Sequence, residues 1–333
     1  MELHETAFVL DSTKIQSYQT CPRRFWFEYV LGWRPDPPSI HLFFGECWHL
    51  SMEHFLKNKI SKQTAAEACL VFEEKWRTRI SIFDEELCGN KNLANASRAL
   101  YLYALAYANE APFRVLKTEV SGKIPVNANN LSRSIYFKID AICQSDELGY
   151  YVLEHKTASF FDRNYEDQFK MLTQTDTYTY ALHWFYGDKG PIFGVVINAM
   201  TIKNEPRLKK DGSLYANSTD CEARRFYIAK SPTYLESWLT DINSQFDEIE
   251  RDFSKLSSAK AADNTMDCFN RRTVNCVTKY GICPFHTLCL AWNNPLQHEE
   301  PVQPGFIKEF WDPRTRGKDE KVKDMMEETY GSL

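Results

Sequence analysis

Two runs rich in β-branched and aromatic residues, Ile135 to Cys143 and Tyr150 to Thr157, flank the polar stretch Ser145-Asp146-Glu147-Leu148-Gly149. Two short apolar runs joined by a turn signal predict a β-hairpin. A strand follows from the pattern at Phe113 to Ile124, a buried one at Ile192 to Ala199, and a returning one at Arg225 to Ile228. Elsewhere the spacing is helical. Thr13 and Gln16 fit a capping box for a first helix, and Pro22 opens a second, Arg23 to Leu31, that stops at Gly32. Its run Phe25-Trp26-Phe27 with Tyr29 reads as core packing. After the link Pro35 to Pro38, Trp48, Met52, Phe55 and Leu56 share a helical stripe, and His49 lies beside it with Glu53 one turn on.

Lys62 to Ala111 reads as two or more scaffold helices, Glu166 to Tyr186 as one helix, and Tyr234 to Phe253 as another. Lys203 to Asn217 is a polar loop. The tail beyond Glu299 is charged and reads as peripheral, with Phe306, Phe310 and Trp311 available to dock it. Strand, hairpin, helix, strand predicts a mixed α/β core.

The 333 residues suffice for one large domain or two smaller ones. Hydrophobic residues make up 43% and charged residues 26%, with no apolar run near the length of a membrane span, so no membrane partner is expected. The opening Met-Glu-Leu-His-Glu-Thr lacks a basic region leading into an apolar stretch, which argues against secretion and for the cytoplasm. A net charge of -5 argues against coating nucleic acid by bulk electrostatics. The pairs Arg23-Arg24, Arg224-Arg225 and Arg271-Arg272, and Lys203 with Arg207, Lys209 and Lys210, read as solvated surface but leave room for a local basic channel.

The hairpin carries the candidate chemistry. Positions 140 and 154 are symmetric about 147, inside the turn, so Asp140 and Glu154 oppose each other and Lys156 shares the face of Glu154. Opposed residues lie roughly 4.5 to 5.5 Å apart between Cβ atoms, and two like charges so placed need a cation between them. A divalent metal with Lys156 beside it answers that need. The bland alternative is a charge cluster on a hairpin surface. Glu119 is a possible accessory acid or an ordinary strand-surface residue. On the Glu166 to Tyr186 helix, Gln174 and Tyr178 lie one turn apart on one side.

Ten cysteines without an export signal do not read as five disulfides. Cys47, Cys69, Cys88, Cys143 and Cys221 are scattered and read as buried thiols, whereas Cys268, Cys276, Cys283 and Cys289 crowd one segment. Zinc held by Cys268, Cys276, Cys283 and either Cys289 or His286 is one reading, although structural zinc pairs usually stand closer in sequence.

The ordered set Gly45-x-x-x-His49, Asp140, Glu154-His155-Lys156 and Gln174-x-x-x-Tyr178 resembles the RecB-like branch of the PD-(D/E)XK nucleases, from Cys21 to Cys289. The resemblance implies a restriction-endonuclease-like α/β fold, a mixed central sheet flanked by helices, as a single nuclease domain over 1-300. A helical insertion would occupy about 58-112 and a peripheral tail 301-333. It implies Mg²⁺ or Mn²⁺ on His49, Asp140, Glu154 and the His155 carbonyl, with Lys156 holding the water or offsetting phosphate charge and Gln174 and Tyr178 positioning the substrate. Phe137 departs from the glycine often found there in the family.

Cys276-x6-Cys283-x5-Cys289 with Cys21 resembles the iron-sulfur members of that branch and implies a [4Fe-4S] cluster stapling the termini, segment 268-290 to Cys21. The implied activity is that of a deoxyribonuclease, exonuclease or end-processing, acting on single-stranded DNA or free ends in repair, recombination or phage DNA metabolism. Its setting would be a bacterial or phage-infected cytoplasm, with a protein partner in a recombination complex. The other readings are a CRISPR-type spacer-processing nuclease and a non-catalytic DNA-binding subunit.

Overall fold

Side-chain oxygens set the starts of several helices in the computed structural model, which describes residues 3–110, 113–207, 209–210, 219–278 and 281–315. The chain runs through α1 (Ser12–Thr20), α2 (Pro22–Phe25), a π-helical turn Trp26–Val30, and β1 (Trp33–Pro35). Helices α3 (Ile40–Lys57), α4 (Lys62–Arg77) and α5 (Leu93–Tyr107) follow. Strands β2 (Arg114–Pro125), β3 (Ser134–Ser145) and β4 (Gly149–Ala158) lead to α6 (Asp167–Lys170), α7 (Thr173–Tyr186), β5 (Ile192–Thr201) and β6 (Ala223–Ala229). The remainder is α8 (Pro232–Leu256), β7 (Val277–Thr278), β8 (Gly281–Ile282), α9 (His286–Ala291) and β9 (Phe306–Lys308).

The chain divides into two compact units. The first comprises residues 1–38, 121–137 and 231–333. Here α1 is capped by Asp11, whose carboxylate accepts the Lys14 N–H at 2.8 Å, rather than by the expected box of Thr13 and Gln16. Asp11 also accepts from the Trp311 indole at 2.7 Å, which explains its choice as cap: the same carboxylate serves two donors. Phe25, Trp26 and Phe27 are fully buried, as expected of core. Phe27 stacks on Phe285 with centroids 5.0 Å apart, and Phe285 stacks on Phe306 at 5.1 Å. Strand β9 pairs antiparallel with β1, and Phe310 stacks on His4 at 4.0 Å. The tail is therefore docked by Phe306, Phe310 and Trp311 as far as residue 315; its remainder, 316–333, lies outside the described residues.

The second unit comprises residues 39–120 and 138–230. The five-stranded sheet has the order β2-β3-β4-β5-β6, with β3/β4 and β5/β6 antiparallel and β4/β5 parallel. The parallel pair requires a crossover, which α6 and α7 supply. This is the restriction-endonuclease-like arrangement of a mixed central sheet flanked by helices. The expected single helix from Glu166 to Tyr186 is two, broken at Met171 and Leu172. Apolar stripes of α3, α4 and α5 pack together with Met200 and Ile202 from the end of β5, burying Trp48, Phe72 and Trp76.

The hairpin forms in the register that symmetry about residue 147 predicts: Ala141 opposes Leu153 and Ser145 opposes Gly149. Gly149 takes φ +69° at the turn, and a Cβ there would meet the Pro191 carbonyl oxygen at 2.3 Å. Both conditions select glycine. Of the expected polar loop Lys203 to Asn217, residues 208 and 211–217 lie outside the described residues, as do 279–280 within the cysteine segment.

Candidate active site

All eight residues of the ordered motif set lie in the second unit, and hydrogen bonds join seven of them in two groups, His49 with Asp140 and His155, and Glu154 with Lys156, Gln174 and Tyr178. The β3/β4 ladder reaches Ala141 opposite Leu153. Beyond it the Asp140 side chain takes over, its Oδ2 accepting the backbone N–H of His155 at 2.8 Å. Helix α3 brings His49 to the other oxygen, with Nδ1 2.8 Å from Asp140 Oδ1. On β4 the period of two puts Glu154 and Lys156 on one face, and Lys156 Nζ donates to Glu154 Oε1 at 2.6 Å. Helix α7 packs against β4 and β5. From it Gln174 accepts from Lys156 Nζ at 3.0 Å and donates to Glu154 Oε1 at 3.2 Å and to the Tyr178 hydroxyl at 2.9 Å. The Tyr178 hydroxyl in turn donates to the Lys138 carbonyl.

The electrostatics follow from burial and spacing. Asp140 and Glu154 are 7% and 2% exposed, so desolvation disfavours both charges. At Asp140 that penalty is overcome by His49, through its charge and its hydrogen bond, and by His155, and the carboxyl stays below the usual carboxylate range. Glu154 is pushed up to about 7 by burial and by the Asp140 charge, against the pull of Lys156. Burial favours neutral Lys156, but the Glu154 carboxylate reverses this and raises its pKa. His49 is raised in the same way by Asp140. The result is an electron-rich site in which one carboxylate is firmly charged and a lysine is held as a cation.

A family model described as the PD-(D/E)XK nuclease superfamily matches residues 12–290. The chain belongs to the PD-(D/E)XK nuclease superfamily. Among solved structures, the chain is similar to a "putative exonuclease" from Eubacterium rectale, with a TM-score of 0.43 and 12% identity, over 75% of this chain and 86% of that one. No curated protein matches the chain.

Two acids weighed from the sequence are engaged elsewhere. Glu53 does not serve His49; it pairs with Lys57 at 2.6 Å and accepts from Thr118 at 3.2 Å. Glu119 takes φ +51° within β2 and pairs with Lys138 at 2.6 Å. The sequence pattern gave no role to Asn198, which bonds His155, or to Tyr103, which bonds Asn198, and Arg225, expected at a solvated surface, lies beside Asn198 with its side chain 8% exposed. A polar residue interrupting the apolar run from Ile192 to Ala199 was the available signal. Among the described residues, no three His, Cys, Asp or Glu side chains converge as a ready-made site for a metal ion. The hydrogen bonds account for this at the hairpin, since Asp140 and Glu154 each direct an oxygen toward a protein donor.

In the first unit, Cys21, Cys276, Cys283 and Cys289 are all partly exposed and free of disulfides, while Cys268 is fully buried. The Arg272 N–H donates to Cys21 Sγ at 3.4 Å, and the Cys283 N–H to the Cys276 carbonyl at 2.9 Å. Burial pushes the Cys268 and Cys289 thiols up to about 11. The neighbouring Cys21 and Cys283 add to the upward shift at Cys289.

Proposed function

We propose that the chain is a divalent-metal-dependent deoxyribonuclease that processes DNA ends. The observation that carries this reading is the pair of buried carboxylates Asp140 and Glu154 on neighbouring strands, with Lys156 and Gln174 hydrogen-bonded to the second. The donor set fits a hard cation. Glu154 Oε2 is buried with no hydrogen-bond partner among the described residues, an acceptor that burial makes costly unless something positive meets it. Asp140, Glu154 and the His155 carbonyl would hold the ion, with His49 adding its remaining ring nitrogen. When bound, Mg²⁺ or Mn²⁺ supplies an activated water and offsets phosphate charge.

The chain's own residues divide the remaining work. Lys156 is a fixed cation, because Glu154 raises its pKa, and it stabilises charge developing on the phosphoryl group rather than removing a proton. Gln174 orients Lys156 and Glu154 together, and Tyr178 ties Gln174 to the strand bearing Asp140. The four cysteines Cys21, Cys276, Cys283 and Cys289 would hold a [4Fe-4S] cluster, for which four thiolates are the usual ligand set. The wide sequence gaps favour this over zinc. Repair, recombination or phage DNA metabolism in a bacterial or infected cytoplasm is the setting this activity suits, with a protein partner of a recombination complex.

The test is degradation of single-stranded and duplex DNA in Mg²⁺ or Mn²⁺ by wild type and Lys156→Ala. Loss of the cation should lower the rate about 10²- to 10³-fold. Equal activity in both proteins rejects the mechanism.

A further inference from the structure

The hydrogen bonds behind β4 can be assigned from the one group among them that is unable to accept. A guanidinium carries donors only. Arg225 Nε lies 3.5 Å from Asn198 Oδ1, so the amide of Asn198 turns its oxygen to Arg225. Its nitrogen then faces the Tyr103 hydroxyl at 2.9 Å and His155 Nδ1 at 2.8 Å. An amide nitrogen only donates, so His155 Nδ1 accepts and the ring proton sits on Nε2.

Nothing in this arrangement is easily reversed. Arg225 is anchored by its ion pair with Glu110 and lies over the rings of Tyr107 at 4.5 Å and Phe113 at 5.3 Å. Tyr103, Asn198 and His155 are each 2% exposed or less, so water does not compete for their partners. His155 Nε2 has no hydrogen-bond partner among the described residues, which leaves Asn198 to set the tautomer. The same residue's backbone N–H donates to Asp140 Oδ2. A chain of contacts therefore runs from the Arg225–Glu110 ion pair through the Asn198 amide to the His155 ring, and the backbone N–H of that same residue meets the Asp140 carboxylate.

We propose that Asn198 is a positioning residue for the metal site: by holding the His155 ring as the Nε2–H tautomer, it fixes the peptide N–H that orients Asp140. The inference rests on the reading that Asp140 and Glu154 hold a divalent ion. Asn198 touches neither that ion nor substrate, and acts through His155.

The experiment uses the full chain without DNA. Imidazole ¹⁵N shifts report the His155 tautomer, and titration with Mn²⁺ followed by electron paramagnetic resonance reports metal affinity. The wild type should show Nε2–H. Asn198→Asp presents an acceptor to Nδ1, which should convert the ring to Nδ1–H and weaken Mn²⁺ binding about 10- to 100-fold, the usual effect of losing a partner that orients a metal ligand. Asn198→Ser keeps a donor in a smaller side chain; it should retain Nε2–H with a smaller loss, and serves if the aspartate variant fails to fold. A wild type that binds Mn²⁺ with His155 as Nδ1–H overturns the inference, as does a converted tautomer with unchanged affinity. A wild type with Nε2–H and no Mn²⁺ binding overturns the metal reading itself, and the positioning role with it.

Discussion

The backbone N–H of His155 donates to Asp140 Oδ2 at 2.8 Å, so the first carboxylate of the site is oriented by the strand that carries the second. The side chain occupies a position where a strand carbonyl would otherwise accept, just past the last paired residues Ala141 and Leu153. The hairpin thus supplies both the spacing and the aim of its two acids.

A divalent ion should stabilise the folded protein if these acids hold it. At a metal concentration one hundred times the dissociation constant the gain is about 2.7 kcal/mol. Thermal unfolding of the wild type should shift upward with Mn²⁺ and return with a chelator, while Asp140→Asn and Glu154→Gln should lose the response. A shift of wild-type size in Asp140→Asn would place the ion elsewhere.

Lys230 holds α7 in place from beneath. Its ammonium pairs with Asp176 at 2.6 Å, both side chains 2% exposed, and also donates to the Lys170 carbonyl at the end of α6. Removing one member of a buried pair costs about 3–5 kcal/mol. Lys230→Met should lose that much stability in denaturant titration, and replacing Asp176 with Leu in the same chain should restore much of it. Because Asp176 is two residues from Gln174, nuclease activity should fall at temperatures where the variant is still folded.

Lys91 is 4% exposed, donates to the Thr157 hydroxyl at 2.8 Å, and lies over the Phe44 ring. Burial lowers its pKa from 10.5 to about 8. The unfolded chain then binds more protons between pH 8 and 10.5, so this group's contribution to stability rises with pH through that window and its penalty is complete below pH 8. At pH 7 the penalty is about 3 kcal/mol. Lys91→Met should therefore be more stable than wild type at pH 7, with the advantage shrinking above pH 8. An advantage independent of pH would show that packing, not the charge, decides it.

Iron analysis separates the cysteines. Protein purified without oxygen should carry about four irons with acid-labile sulfide per chain, the content of one [4Fe-4S] cluster. Cys283→Ser should lose them, and Cys268→Ala should keep them. Stoichiometric zinc in the wild type would replace the cluster with a single-ion site.

Local rules made much of the fold legible. The hairpin, its register and the shared face of Glu154 and Lys156 follow from a period of two and a symmetric turn. The ordered motifs supplied His49, Gln174 and Tyr178. Where competing partners decide, the pattern was less informative: helix α1 is capped by Asp11, whose carboxylate also meets Trp311, some 300 residues away in sequence. Helices α6 and α7 are separate where the pattern predicts one helix, with the break at Met171 and Leu172.

By itself the sequence determined the identities and order of the groups in the candidate site, since those depend on residue type and near-neighbour spacing. Only the tertiary structure decided their states. Burial beside Asp140 raises Glu154, the Glu154 carboxylate keeps Lys156 charged, and a guanidinium that can only donate sets the orientation of Asn198 and with it the proton on His155. Desolvation and hydrogen-bond direction arise between residues far apart along the chain, and no local pattern records them.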